Sequence, residues 1–133
     1  MNAPVAKADA IDPFVAGHPE VKAFWDASAQ DRFVLPFCKA CSKTHWYPRA
    51  ICPHCAGTEI EWRPAKGTGS IYTYSVMRHG SPYVIAYVTL DEGPTMMTNI
   101  VDCDINKVKV GQRVKVKFQA AQEGRKVPVF TPA

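Results

Sequence analysis

Apolar positions along the chain change period, and the changes mark out its elements. Val21, Phe24, Trp25 and Ser28 recur at helical spacing. They follow Pro19, suited to a first helical position, and Glu20, which complements the positive end of a helix. This predicts a helix over Pro19–Gln30. Arg32–Phe37, Thr44–Pro48 and Thr58–Arg63 then read as short strands, the last carrying Ile60 and Trp62 two residues apart. Beyond Gly69 the period is two. Strands are predicted over Ile71–Met77, Tyr83–Leu90, Thr95–Val101, Arg113–Phe118 and Val127–Phe130, with turn signals at Asp91-Glu92-Gly93-Pro94 and Gly111. Five short strands with no alternating helices argue for a small closed or partly open barrel, the strand count of an OB-fold.

The expected fold class is therefore mainly β, with four stretches in order. Residues 1–17 are rich in Ala, Asp and Pro without periodicity and read as a flexible N-terminal arm. Residues 18–31 hold the helix, 32–63 a cysteine-bearing ribbon and 64–133 the five-stranded OB-fold domain. Pro64–Gly69, with two glycines, is the boundary. Phe24 and Trp25 pack inward on the plain reading, or form part of a ligand or subunit surface on the sharper one. Thr95–Asn99 is expected to supply core packing.

Cysteine spacing changes the picture of the ribbon. Cys38/Cys41 and Cys52/Cys55 are two C-x-x-C pairs with ten residues between them. Each pair sits on one tight turn, and two such turns brought together make the tetrahedral thiolate cage that Zn²⁺ favours. Four sulfurs close the coordination sphere, so the implied metal is structural rather than hydrolytic. Iron in a rubredoxin-like centre is the less favoured alternative, as is replacement of one sulfur by His45 or His54; His54, between two ligands, is expected to face outward. Cys103 stands apart and reads as a small hydrophobe.

Charge and composition add limits. The chain has 133 residues, 47% hydrophobic and 21% charged, and no apolar run approaches the ~18 residues of a membrane span. The N-terminal stretch lacks a secretory pattern, so a cytoplasmic, reducing location is expected, which favours metal ligation over disulfides. A net charge of +4 is too weak by itself to establish nucleic-acid binding. The run Lys107, Lys109, Arg113, Lys115, Lys117 reads as a solvated face, and Arg78–Pro82 as a polar loop. No nucleotide-binding or nucleophile-elbow motif is present, and the scattered His, Asp and Glu residues assemble into no acid/base pair.

The ordered motifs carry a resemblance. Phe24-Trp25, C-K-A-C, W-Y-P-R (Trp46–Arg49), C-P-H-C, Glu61-Trp62, G-T-G-S-I-Y-T-Y-S-V, P-Y-V-I-A-Y-V-T-L-D-E-G and T-N-I-V resemble a bacterial and archaeal family over Pro19–Pro132. It is the family known as domain of unknown function 35, which joins a rubredoxin-like zinc ribbon to an OB-fold. The resemblance implies a non-catalytic accessory subunit of a thiolase-like, acyltransferase or retro-aldolase complex acting on acyl-CoA. It further implies one structural Zn²⁺ on Cys38, Cys41, Cys52 and Cys55, and a candidate surface for the CoA thioester or the partner at Phe24, Trp25, Trp46 and Arg49. Ser42 and Ala56 depart from the pattern, standing where a glycine often follows the knuckle. The competing reading is a nucleic-acid-binding module, with Tyr72, Tyr74 and Tyr87 as stacking platforms beside basic residues.

Overall fold

The computed structural model describes residues 13–121 and 124–133. A short helix α1 (Pro13–Gly17) precedes a 3₁₀ turn (Pro19–Val21) that runs directly into α2 (Lys22–Ser28). The predicted helix is thus present, but it stops two residues early. Ala29 and Gln30 form a closing turn, and Asp31 takes a positive φ of 59° that ends the helix. Helix α1 falls in the stretch expected to be an arm. Phe14 stacks on His18 with ring centroids 4.6 Å apart, and Arg125 lies over the Phe14 ring. Residues 1–12 of the expected arm lie outside the described residues.

The ribbon is a three-stranded sheet of order β2-β1-β3, built from β1 (Val34–Cys38), β2 (Lys43–Thr44) and β3 (Ile60–Pro64). The strand expected over Thr44–Pro48 ends at Thr44. His45 keeps one bond, its N–H donating to Pro36 O at 3.1 Å. Beyond it Pro48 has no N–H to give a ladder, and Trp46 turns to pack on Phe24, ring centroids 4.9 Å apart.

The remaining strands are β4 (Thr68–Met77), β5 (Tyr83–Leu90), β6 (Thr95–Ile100), β7 (Arg113–Ala120) and β8 (Lys126–Pro132). They close into a barrel of order β4-β5-β6-β8-β7, with β6 and β8 parallel and the other pairs antiparallel. This is the five-stranded OB architecture expected. Gly69 is the closure point, paired with Leu90 on one side and Val114 on the other. A Cβ there would sit 2.5 Å from Thr89 O, so only glycine fits this approach.

One core unites the parts. Phe24 from α2 and Phe33, Val34 and Leu35 from the ribbon entry join Ile71, Val88, Val114 and Phe130 of the barrel in a single buried cluster. Burying aromatic and branched side chains from elements so far apart in sequence contributes on the order of 1.5–3 kcal/mol each. The helix is also fastened directly: Ser28 Oγ donates to Lys126 O at 2.8 Å, and Lys126 Nζ reaches Asp31 Oδ1 at 2.8 Å.

Alternation on β6 corrects one expectation. Met96 and Thr98 point into the core, but Met97 faces out and is 57% exposed, because successive side chains of a strand take opposite faces.

Candidate functional site

The two knuckles are built alike. Ser42 N–H donates to Cys38 O at 2.8 Å, and Ala56 N–H donates to Cys52 O at 2.9 Å. In both turns the residue after the second cysteine is left-handed, Ser42 at φ 60° and Ala56 at φ 65°, so each tolerates its side chain in a conformation glycine would adopt freely. The knuckles face each other. Cys38 Sγ lies 3.6 Å from Cys55 Sγ and Cys41 Sγ lies 3.7 Å from Cys52 Sγ, with all four sulfurs within 4.8 Å of one another.

Four sulfurs bound at ~2.3 Å around a tetrahedral Zn²⁺ stand about 3.8 Å apart, so the cage fits a four-coordinate metal as it is built. The backbone prepares it for charge. His54 N–H points at Cys52 Sγ (3.3 Å) and Gly57 N–H at Cys55 Sγ (3.4 Å). Burial opposes ionisation of Cys52, but the peptide N–H groups of His54 and Cys55 and then the Cys41 and Cys38 thiols bring its pKa down to about 7, while burial and the neighbouring thiols push Cys41 up to about 12. His54 is exposed, as expected, and His45 is not one of the clustered ligands.

The chain between the knuckles shapes two concavities with Trp46 as their common wall. The first is an apolar groove of about 220 Å³ between α2, Trp46–Pro48, β6 and β8, where Trp25, Trp46, Tyr47, Met97 and Pro128 meet. Phe24 is buried at its floor, 5.1 Å from Trp25 and 4.9 Å from Trp46 between ring centroids. The indole Nε1 of Trp25 is closed to solvent and has no hydrogen-bond partner among the described residues. Of the four residues singled out as a ligand or partner surface, Phe24, Trp25 and Trp46 come together. Arg49 is exposed and does not line this groove.

The second is a polar cleft of about 580 Å³ between the knuckles and the β5–β6 turn, lined by Lys43, His45, His54 and Glu92 among others. His45 is 2% exposed and neither ring nitrogen has a partner among the described residues. Burial first, and then the neighbouring His54 and Arg49, hold its pKa below the usual imidazole range.

Family comparison adds to this geometry. Residues 25–61 match the family model described as ChsH2, rubredoxin-like zinc ribbon domain, and residues 62–119 match ChsH2, C-terminal OB-fold domain. The chain belongs to this family, DUF35. A DUF35 domain-containing scaffold protein of Methanocaldococcus jannaschii is 37% identical over 94 residues, 65% of this chain and 67% of that protein. A probable enoyl-CoA hydratase alpha subunit of Thermomonospora curvata is 36% identical over 118 residues, 84% of this chain. The match spans only 37% of that longer relative. Among solved structures, the Ltp2-ChsH2(DUF35) aldolase superposes with a TM-score of 0.78 at 33% identity, covering 85% of this chain and 94% of that one.

Tyr47 and Pro48, between the knuckles where the sequence pointed to function, line the groove, whereas Met97 and Pro128 joined it without being singled out in the sequence as functional. Strict alternation on β6 turns Met97 outward once Met96 is placed inside, and that signal was legible; Pro128 had none. The tyrosines expected as stacking platforms are on the barrel, with Tyr72 and Tyr87 exposed, but β4, β5 and β6 contain no Lys, Arg or His. Arg113, Lys115 and Lys117 sit on β7, and Arg113 and Lys117 pair with Asp91 and Asp102. Cys103 is half-buried, its thiol pushed up by burial and then by Asp104 and Asp102. No helix among the described residues is long and apolar enough to cross a membrane.

Proposed function

We propose that this chain is a non-catalytic, zinc-stapled accessory subunit of an acyl-CoA-processing complex of thiolase, acyltransferase or retro-aldolase type. Its cage holds one Zn²⁺ through Cys38, Cys41, Cys52 and Cys55. Four thiolates fill the coordination sphere, so the metal fastens the two knuckles and leaves no position for substrate.

The observation that carries the reading is the apolar groove walled by Trp25, Trp46, Tyr47 and Met97. An apolar groove with aromatic walls suits an acyl chain or the apolar stretches of the pantetheine arm. The chain would hold part of the thioester while the partner performs the carbon–carbon chemistry. The scaffold-protein and aldolase relatives support a catalytic partner. The hydratase relative supports acyl-CoA as the substrate class.

The test is co-expression with a thiolase-like or aldolase-type subunit encoded beside this chain, followed by size-exclusion chromatography, metal analysis and turnover. Co-elution, a colourless protein with one zinc per chain, and a turnover that falls when Trp46 is replaced by Ala are expected. A chain that elutes alone and leaves turnover unchanged sinks the proposal, and a red, iron-loaded protein removes zinc from it.

A further inference from the structure

The outer face of the barrel carries a second message. The strands β4, β5 and β6 contain no Asp, Glu, Lys, Arg or His at any position. Their register stacks the outward side chains in rows: Met77 opposite Tyr83, Ser75 opposite Ile85 opposite Asn99, and Thr73 opposite Tyr87 opposite Met97. Tyr72, at the register shift in β4, is 66% exposed, and Met77, Tyr83 and Tyr87 are exposed as well. A three-strand face of tyrosine, methionine and small neutral side chains, free of charge and open to water, has the composition of an interface core rather than of ordinary surface.

This face runs without a break into the groove. Met97 belongs to the outward row with Tyr87 and also lines the groove beside Trp25 and Trp46. Ile85 and Asn99, from the neighbouring row, line a shallower continuation of about 180 Å³ along Val127 and Val129 of β8. Whatever covers the face therefore also covers the mouth of the groove.

We infer that the outer face of β4–β6 is the seat of the catalytic partner subunit, which meets it with an uncharged apolar surface and roofs the Trp25–Met97 groove. The inference rests on the accessory-subunit reading above. A charged surface is a poor occupant, because the one guanidinium seen to reach these strands, Arg113 at Ser70, is already paired with Asp91, and burying an unpaired charge is strongly unfavourable. A nucleic acid is a poor occupant for the same reason, since the three strands themselves carry no cation to meet its phosphates and Arg113 at their edge is held by Asp91. A second copy of this chain would match the face chemically. It would, however, close the groove against an identical groove, whereas a catalytic subunit brings reacting groups to its mouth.

The experiment uses the complex recovered by co-expression. Purified catalytic subunit is titrated against the native chain, Tyr87→Glu, Met97→Glu and, as a charge control on β7, Lys115→Glu. Each is checked for zinc content and circular dichroism. Binding weaker by roughly thirtyfold or more is expected for the first two variants, and a change of no more than about threefold for the control. Hydrogen exchange on the native complex needs no variant, and it should show Tyr83–Tyr87 and Met97 protected when the partner is bound. Folded Tyr87→Glu and Met97→Glu chains that bind as the native chain does, with no protection on β5, overturn the inference while leaving the accessory role intact. A native chain that forms no complex defeats both. A native chain that is dimeric alone and becomes monomeric in Tyr87→Glu assigns the face to self-association and overturns the inference.

Discussion

The guanidinium of Arg113 grips both carboxylate oxygens of Asp91 at 2.9 Å, tying the start of β7 to the turn after β5. The Thr68 hydroxyl donates to the same carboxylate, so three strands meet at one charge. Arg113 first, and then Thr68, hold the Asp91 pKa down from 3.8 to about 2. A carboxyl depressed in the folded state stabilises the fold above its unfolded pKa, and that contribution is lost as pH falls through the folded value. The midpoint of thermal unfolding should therefore drop as pH goes from about 4 to about 2. In Asp91→Asn that part of the acid dependence should flatten. Calorimetry at stepped pH measures it, and an unchanged slope in the variant would refute the assignment.

Removing the metal should loosen the ribbon before the barrel. Zinc held by four cysteines contributes on the order of 10 kcal/mol of binding free energy to a small ribbon. A strong chelator, or Cys38→Ser at a fully buried ligand, should abolish metal content and expose Trp46 and Trp62, which pack around Phe24. The readout is a red shift of tryptophan emission together with loss of zinc. Emission that stays native after complete zinc loss would mean the ribbon folds without its metal.

The second knuckle allows a paired test of opposite sign. Ala56→Gly relieves a left-handed residue at φ 65° and should raise stability by about 1 kcal/mol. Gly57→Ala instead places a methyl 3.2 Å from Cys55 Sγ and 3.3 Å from Ala40 Cβ, crowding a ligand, and should weaken zinc affinity. Competition with a colorimetric chelator reads the second and thermal unfolding the first. The pair fails if both substitutions move stability the same way.

Gly69→Ala should be the most damaging small substitution in the barrel. The added methyl meets Thr89 O at 2.5 Å and Val88 Cγ1 at 2.8 Å, where β4 pairs with both of its neighbours. A loss of about 2–4 kcal/mol is expected in urea unfolding, in the range of overpacking and backbone displacement. A loss under about 0.5 kcal/mol, the range of ordinary surface changes, would show that the closure yields.

The cysteine cage was legible because its information is local: two turns, each fixed by a four-residue spacing. The barrel was legible for a related reason. A half-buried strand writes its two faces into alternate positions, and β5 matched its predicted bounds at Tyr83 and Leu90. Sequence reading failed where tertiary contact overrides local pattern. Thr44–Pro48 has the composition of a strand, yet Trp46 leaves the ladder to meet Phe24 of the preceding helix. The groove was the least legible of all. Its walls come from residues 24–25, 46–48, 96–97 and 127–128, and no period joins positions so far apart.

Fastening of α2 to β8, through Ser28 and the carbonyl of Lys126, joins positions 98 apart. On a ribosome the helix and the cage emerge before the strand they lean on. The four thiols are therefore outside while the partners of Phe24 and Leu35 in the barrel are still being made. Synthesis order thus makes closure of the barrel, through β8, the step that covers the apolar side of the helix and ribbon.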